Sequence, residues 1–594
     1  MNHPLRARWI WMLAAVAVIA VLALAACDDE EEGVGDTPAA GETPAAGETP
    51  AAAGERIQGG DLIAQGVEFD SIDPHYSAFA QDISVQRMLW RGLYNLNPEN
   101  VPEPGMAAAD PEITNDGKTY TITLRDGLLW SDGDDLKAED FVAGIIRTCN
   151  PLHAGQYQYL LTAVAGCDDY YYALAGPDET PGTEDDLDAS TIDAAVMEAA
   201  IGAKALDDTT IEFTLTDAQP TFQMILSLWL TFPSPVHLLP NSSDEWPDGL
   251  DASKLAFNGP YQMIEYKPQD FLKMEPNPNW DPTDGDKPTL DTLTIDFIDD
   301  NSVSNNAYRN EELDFAFADR AVLQAVVSEF GDEYLKLVRP STRGLEMQLT
   351  DPTLANLDVR LALAQAIDRD QLVAVATNGA HEPTTSWFPE AILGGAAPDA
   401  FNDVVGFNED SARKHLADAG YPDGAGFPKL SIIVRTDPEP QAIAQFLQNS
   451  FKTVLNIDVD IESVDGQTRA ARFSAQDFQL FHGGWIQDYP DPENWVLGLF
   501  DIPGVGTNKY NCDNQKIKDR VEQAKFNPDQ EARIQLYREI NEIIVTEVCG
   551  ITPYYHEADH YLITPDVVGM KENSAAVDAM IAGDWDAEAW GFSQ

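Results

Sequence analysis

A single apolar run does most to limit what this chain can become. From Trp9 to Ala26 the sequence carries no charge, and no comparable run follows it. Arg6 and Arg8 precede the run, and the small residues Ala25 and Ala26 close it before Cys27. Charge, apolar core and small residues at the cut are the three parts of a secretory signal. The small residues are needed because a peptidase holds the chain extended in a narrow site. A plain transmembrane anchor also fits an apolar stretch of this length. Under either reading the rest of the chain is expected outside the cytoplasm, and it must fold without further membrane spans.

Leu24-Ala25-Ala26-Cys27 resembles the bacterial lipobox, in which the cysteine thiol is lipidated and becomes the new N-terminus. Residues 1–26 are therefore expected to be a lipoprotein signal peptide, with Cys27 tying the protein to the cell membrane. Residues 27–58 read as an acidic Pro/Ala/Gly tether. Gly-Glu-Thr-Pro-Ala-Ala begins at Gly41 and again at Gly47, with a related Asp-containing copy at Gly35. Such a segment buries too little apolar surface to offset its ordering entropy. Proline stiffens it and like charges extend it.

Residues 59–594 are enough for two or more domains. The 100 Asp and Glu residues against 36 Lys and Arg leave a net charge of −64. That balance argues against nucleic acid, which needs a basic surface, and against anionic lipid as a partner of the body. With Cys27 used by the lipid, Cys149, Cys167, Cys512 and Cys549 remain. An even number in an exported chain points to two disulfides. Pairing of sequence neighbours, Cys149 with Cys167 and Cys512 with Cys549, is the most economical of three possible pairings. The spacings do not fit a zinc site.

Strand and helix periodicities alternate along the body. Tyr120, Ile122 and Leu124 alternate with threonines, and Ile211, Phe213 and Leu215 repeat the pattern. Leu293, Ile295 and Phe297, then Ile457, Val459 and Ile461, do the same. Leu536, Ile540, Ile543 and Ile544 form one helical stripe after Asn527-Pro528-Asp529. Asn408 opens another helix that Gly420 ends. Val359, Leu363, Ala366 and Ile367 predict a third. The fold class is α/β, mixed with α+β, with sheets in at least two regions. Two acidic, Pro/Gly-broken stretches, 176–188 and 281–286, read as exposed loops; calcium is the lesser reading for such carboxylate clusters.

An ordered set of short motifs then resembles the extracellular solute-binding proteins of oligopeptide, dipeptide and nickel ABC importers, the bacterial family 5 proteins. Ile72-Asp73-Pro74 comes first, followed by Arg91-Gly92-Leu93-Tyr94, Pro104-Gly105-Met106-Ala107 and Asp116-Gly117-Lys118-Thr119-Tyr120. Leu124-Arg125-Asp126-Gly127, Trp130-Ser131-Asp132-Gly133 and Ala138-Glu139-Asp140-Phe141 continue the order. Asn258-Gly259-Pro260-Tyr261, Asn277-Pro278-Asn279-Trp280, Ala366-Ile367-Asp368-Arg369, Ala419-Gly420-Tyr421 and the run Trp485 to Pro492 complete it. Taken singly, most of these are turn signals. The sequence departs from the family at Phe257-Asn258 before Gly259, at Glu311-Glu312-Leu313-Asp314, and at Leu349-Thr350.

The resemblance implies a bilobal, three-domain periplasmic-binding-protein-like fold with the ligand in a cleft between two lobes. Lobe I would comprise 59–100, 206–317 and 551–594, lobe II 101–205 and lobe III 318–550. It implies a monomeric receptor that captures a peptide, or another small solute such as an oligosaccharide or a metal complex, and delivers it to permease subunits. No enzyme activity, cofactor or resident metal is implied. Carried over residue by residue, the ligand-binding set is Gly484, Trp485 and Ile486, whose backbone would pair with a peptide as an added strand. Asp488 would pair with the peptide ammonium, and Tyr554 and Tyr555 would line the cleft. A buried cation needs such a hydrogen-bonded partner. The bland alternative for Asp488 is a turn cap before Tyr489-Pro490-Asp491-Pro492. Arg343 and Arg435 are the candidates for a peptide C-terminus.

His556-Glu557-Ala558-Asp559-His560 matches H-E-x-x-H, which binds zinc only when both histidines share a helix face. Pro553 just before it and the strand-like Tyr561-Leu562-Ile563 argue against a helix, so a secreted zinc hydrolase is the remote reading. His482 is the candidate ligand for a nickel chelate.

Overall fold

The computed structural model describes residues 56–593 apart from 98–99, 177–180, 182–185, 247–249, 282–286, 498, 501–509, 526, 528 and 571–580. The signal sequence, Cys27, most of the tether and much of both acidic stretches lie outside the described residues. Among the described residues no helix is long and apolar enough to cross a membrane.

One large sheet organises the body. Its strands are β1 (Asp61–Gly66), β2 (Tyr261–Lys267), β3 (Phe271–Pro276), β4 (Thr292–Phe297), β5 (Phe315–Phe317), β6 (Tyr334–Met347), β7 (Leu430–Arg435), β8 (Val459–Val464), β9 (Leu480–Ile486) and β10 (Ile551–Ile563). Their spatial order is β8-β7-β9-β6-β10-β5-β1-β4-β3-β2, and the two-residue strand Glu382–Pro383 pairs with β10. The fold is thus a mixed α/β one. The alternating segment Thr119–Thr123 sits in a separate four-stranded antiparallel sheet with Thr210–Thr214, and Tyr120, Ile122, Ile211 and Phe213 face its core.

Two apolar cores flank the centre of the large sheet. One runs from Leu62 through Ile295 and is completed by residues of the chain end, among them Trp585 and Trp590. The other is drawn from Leu345 to Tyr555. The long antiparallel pair β6 and β10 passes between them, and a small third cluster joins Ala316, Ala380 and Leu562 there. β10 is buried on both faces yet carries His556, Glu557, Asp559 and His560. Central strands are usually near-continuous apolar runs, so these four polar side chains must find partners or line a space. Pro553 has no N–H to give the ladder, and the β6–β10 register shifts beside it, between Arg343 and Gly344.

Helices begin where their caps say they should. The Asp529 carboxylate accepts from Ala532 N–H and starts the helix Gln530–Thr546; Asn408 does the same for Glu409–Asp418. One predicted stripe is corrected. The helix that begins at Leu357 ends at Gln365, and Asp368 caps a new helix, α1 (Arg369–Ala376), by accepting from Gln371 N–H. Ala366 and Ile367 are fully buried, so their apolar character comes from the connection packing into the core. Cys149 is bonded to Cys167 and Cys512 to Cys549, the neighbour pairing.

Candidate functional site

The polar loop after β9 is held by its own side chains. Asn494 accepts at Oδ1 from the Asp488 N–H and from Trp485 Nε1, both at 2.9 Å, and donates to Asp488 Oδ2 at 2.8 Å. Asp491 caps the following turn of helix through Glu493 N–H, so the capping role falls to Asp491 and not to Asp488. Arg533 grips Asp491 at 2.5 and 2.7 Å and reaches Glu493 at 3.3 Å. The loop is therefore pinned to the helix Gln530–Thr546 by buried charge pairs.

Two hydroxyls from a distant segment complete the Asp488 carboxylate. Tyr157 donates to Oδ1 at 3.0 Å and Tyr159 to Oδ2 at 3.2 Å. Tyr157 in turn packs edge-on against Trp229 with ring centroids 4.8 Å apart. Burial pushes the Asp488 carboxyl above its ordinary range, and the three donors only partly offset it. Neither tyrosine was singled out from sequence; two tyrosines in Gln156-Tyr157-Gln158-Tyr159 are an undistinguished signal.

β9 carries the Gly483-Gly484 pair for steric reasons. A Cβ at Gly484 would sit 1.9 Å from the Thr342 carbonyl oxygen, and one at Gly483 would sit 2.5 Å from the Glu346 carboxylate. β6 and β9 approach closely here, with Gly484 opposite Arg343 and Ile486 opposite Ser341.

Beside this strand pair opens a cavity of about 730 Å³. Arg343, Tyr555 and Glu557 come from the central strands, Arg469 from the helix α2 (Gly466–Ser474), His482 from β9, and Arg435, Asp437 and Glu439 from the end of β7 and beyond. Asn301, Asp319 and Arg320 close the far side. Four arginines face four carboxylates in a chain with nearly three acids per base. Arg343 is 2.9 Å from Glu557, Arg435 is 2.6 Å from Asp437, and Arg320 is 3.7 Å from Glu439. Burial opposes the ionised Glu557, but the Arg343 and Arg339 charges outweigh it and hold the carboxyl well below the usual range. A second cavity of about 310 Å³ shares Asn301, Arg320 and Glu557 and adds Arg339, Asp559 and His560.

The expected ligand residues divide between these places. Tyr555 lines the larger cavity and stacks on His381 at 4.4 Å. Tyr554 is buried with its hydroxyl on His482 Nδ1, behind that wall. Gly484 and Ile486 pair with β6, and Trp485 and Asp488 line neither cavity. Arg343 and Arg435 share the larger cavity. Arg469, Arg320 and Glu439, which also line it, carry no motif by which sequence would have found them. Burial and the two neighbouring arginines push His482 down to about 3.

The H-E-x-x-H stretch is part of β10. His556 and His560 are four residues apart on a strand, about 13 Å at the usual rise. His556 meets the Thr342 hydroxyl at 2.9 Å, while His560 meets Tyr334 and the Ala380 carbonyl. Two imidazoles so placed cannot share one ion, and Glu557 points to the cavity instead.

Residues 101–505 match the family described as bacterial extracellular solute-binding proteins, family 5 Middle. This chain belongs to that family. Among curated relatives, the oligopeptide-binding protein OppA of Bacillus subtilis (strain 168) is 25% identical over 496 residues, covering 82% of this chain and 85% of the relative. The periplasmic oligopeptide-binding protein OppA of Salmonella typhimurium is 25% identical over 512 residues, covering 85% and 88%. Among solved structures, the Escherichia coli murein tripeptide binding protein MppA superposes with a TM-score of 0.70 at 22% identity, over 91% of this chain and 99% of that one. The family 5 fold is bilobal, and this chain has it.

Proposed function

We propose that this family 5 protein is the extracytoplasmic receptor of an ABC importer and that its cargo is a short peptide. The observation that carries the reading is a two-ended arrangement. At one end a desolvated carboxylate, Asp488, is dressed with neutral donors and has no cation within ion-pair distance among the described residues. At the other a charged cavity holds Arg469, which has no carboxylate within ion-pair distance among the described residues. An ammonium group completes the first and a carboxylate the second. Gly484 to Ile486 follow in sequence the His482 carbonyl that Arg469 holds, and Gly484 is four residues from Asp488.

The relatives named above are peptide-binding proteins, which supports a peptide over a sugar. Among the described residues neither cavity is lined by tryptophan, and Tyr555 is the one tyrosine lining the larger. In this reading Cys27 carries the lipid, 27–58 is the spacer, and the receptor works as a monomer without cofactor and hands its cargo to permease subunits. Lobe I is made of 59–100, 206–317 and 551–594, lobe II of 101–205 and lobe III of 318–550. The lobes close by bending at β6 and β10, a hinge motion, and Tyr157 and Tyr159 meet Asp488 across the closed cleft.

Native mass spectrometry of the full-length protein, purified without refolding, tests this. A heterogeneous set of bound masses matching short peptides, lost on Asp488→Ala, is the expected result. A single sugar or metal-complex mass would overturn the peptide assignment.

A further inference from the structure

Behind the cavity wall lies a carboxyl that this reading leaves unused. Glu346 on β6 is 0% exposed. Its Oε1 accepts from the Tyr510 hydroxyl at 2.8 Å, and its Oε2 has no hydrogen-bond partner. It lies flat on Gly483, where any side chain would displace it. A half-satisfied buried carboxyl is costly, so its place calls for a reason.

Arg469 provides one. Its Nη2 donates to the His482 carbonyl at 2.8 Å, its Nε is buried without a partner, and its plane lies 4.3 Å from the Phe481 ring centre. Arg343, the other cation close to Glu346, is already held by Glu557 at 2.9 Å. Among carboxylates, Glu346 has the largest electrostatic hold on Arg469, although the two are not in contact.

We propose that Glu346 is a positioning residue that sets how strongly Arg469 holds an anionic ligand group, so that ligand and proton bind together. The proposal rests on the cavity being the ligand site. When ionised, Glu346 gives Arg469 a counter-charge and repels an incoming carboxylate. When protonated, it leaves Arg469 uncompensated at the cavity wall.

The surrounding groups leave Glu346 as the one that titrates near neutrality. Burial pushes it up to about 7, against the Tyr510 hydroxyl, the Arg469 and Arg343 charges and the nearby Gly484 N–H. Its charge acts on Arg343 of its own strand, on Arg469 of α2, on Tyr554 of β10 and on Tyr510, while His482 of β9 lies opposite Leu345. His482 is pushed down to about 3 and stays neutral between pH 6 and 8. Burial raises Tyr510 and Tyr554 well above their ordinary value. Arg343 is held above its ordinary value by Glu557, although burial opposes it. A bound anion raises Glu346 further. Protons are therefore taken up on binding, and affinity increases as pH falls through about 7.

The test is calorimetric titration of the full-length protein with tri-, tetra- and pentaalanine, as free acids and as C-terminal amides, at pH 6 and 8. The amides carry the same α-amino group, so the ratio of acid to amide affinity isolates the anionic end. That ratio is expected to rise about tenfold from pH 8 to pH 6, the size set by like charges interacting at an effective dielectric of ~20. In Glu346→Gln it should be high and flat, and in Arg469→Met near one at both pH values. A ratio near one in the wild type, or an unchanged pH profile in Glu346→Gln, would overturn the proposal while leaving the peptide reading intact. Failure of every peptide to bind the wild type would overturn both.

Discussion

Asp488→Asn separates a binding group from a structural one. The replacement keeps size and planarity, so Tyr157, Tyr159 and Asn494 still meet a polar group of the same shape. What is lost is the charge. Because burial raises this carboxyl's pKa, the native state binds the proton more tightly than the unfolded chain does. The sign follows: stability falls as pH rises from the ordinary carboxylate range through the folded pKa. Asp488→Asn should therefore leave the thermal midpoint unchanged or raise it. A hydrogen bond to a charged group contributes ~1.5–3 kcal/mol, so affinity for a free peptide amine should fall by about 10- to 150-fold. Calorimetric titration with trialanine and N-acetyl-trialanine reads this directly. The wild type should prefer the free amine and the variant should not. Equal wild-type affinity for both peptides would refute the reasoning. So would a fall in the thermal midpoint with the amine preference intact.

Three further outcomes follow from the same geometry. Gly484→Ala forces a Cβ onto the Thr342 carbonyl and should destabilise by about 1–3 kcal/mol; an unchanged thermal midpoint would contradict the close approach of β6 and β9. For Asp73, burial favours the neutral form. The His75 hydrogen bond and the Arg147 charge, at 2.6 Å, outweigh it and hold the carboxyl far below its usual range. Its stability is thus present above the ordinary carboxylate pKa and lost as pH falls. Asp73→Asn should cost about 3–5 kcal/mol at pH 7, and the difference should shrink in acid, as measured by denaturant titration at several pH values. Replacing Cys512 and Cys549 with serine opens a loop spanning 37 residues and should lower stability by about 4 kcal/mol on the chain-entropy account. Denaturant titration of the oxidised and substituted proteins checks it.

Much of the scaffold was legible because it is local. The Thr119–Thr123 alternation, the Asn408 and Asp529 caps and the turn at Asp116-Gly117 each act within a few residues. The stripe through Val359 failed where a second cap, Asp368, restarted the helix; apolar spacing alone does not separate a helix end from a buried connection. The site was legible only in part. Arg343, Arg435 and Tyr555 proved to share a cavity, but Tyr157 and Tyr159 reach Asp488 across more than 300 residues of chain. No window along the sequence joins them. Glu346 and Gly483 are likewise meaningful only once β6 and β9 are paired.

The first core is finished by residues that stand 494 to 497 positions further along the chain than the arginines they meet. Arg87 pairs with Asp584 at 3.0 Å and Arg91 with Glu588 at 2.7 Å, while Trp585 and Trp590 fill the same interior. Synthesis runs from the N-terminus, so Arg87 and Arg91 wait for the segment Asp584 to Trp590 before their charges are paired. An exported protein must stay threadable until it has crossed the membrane. An interior closed by contacts of such sequence separation must bear the loop-closure entropy before it gains the burial, so the first core is completed late in folding.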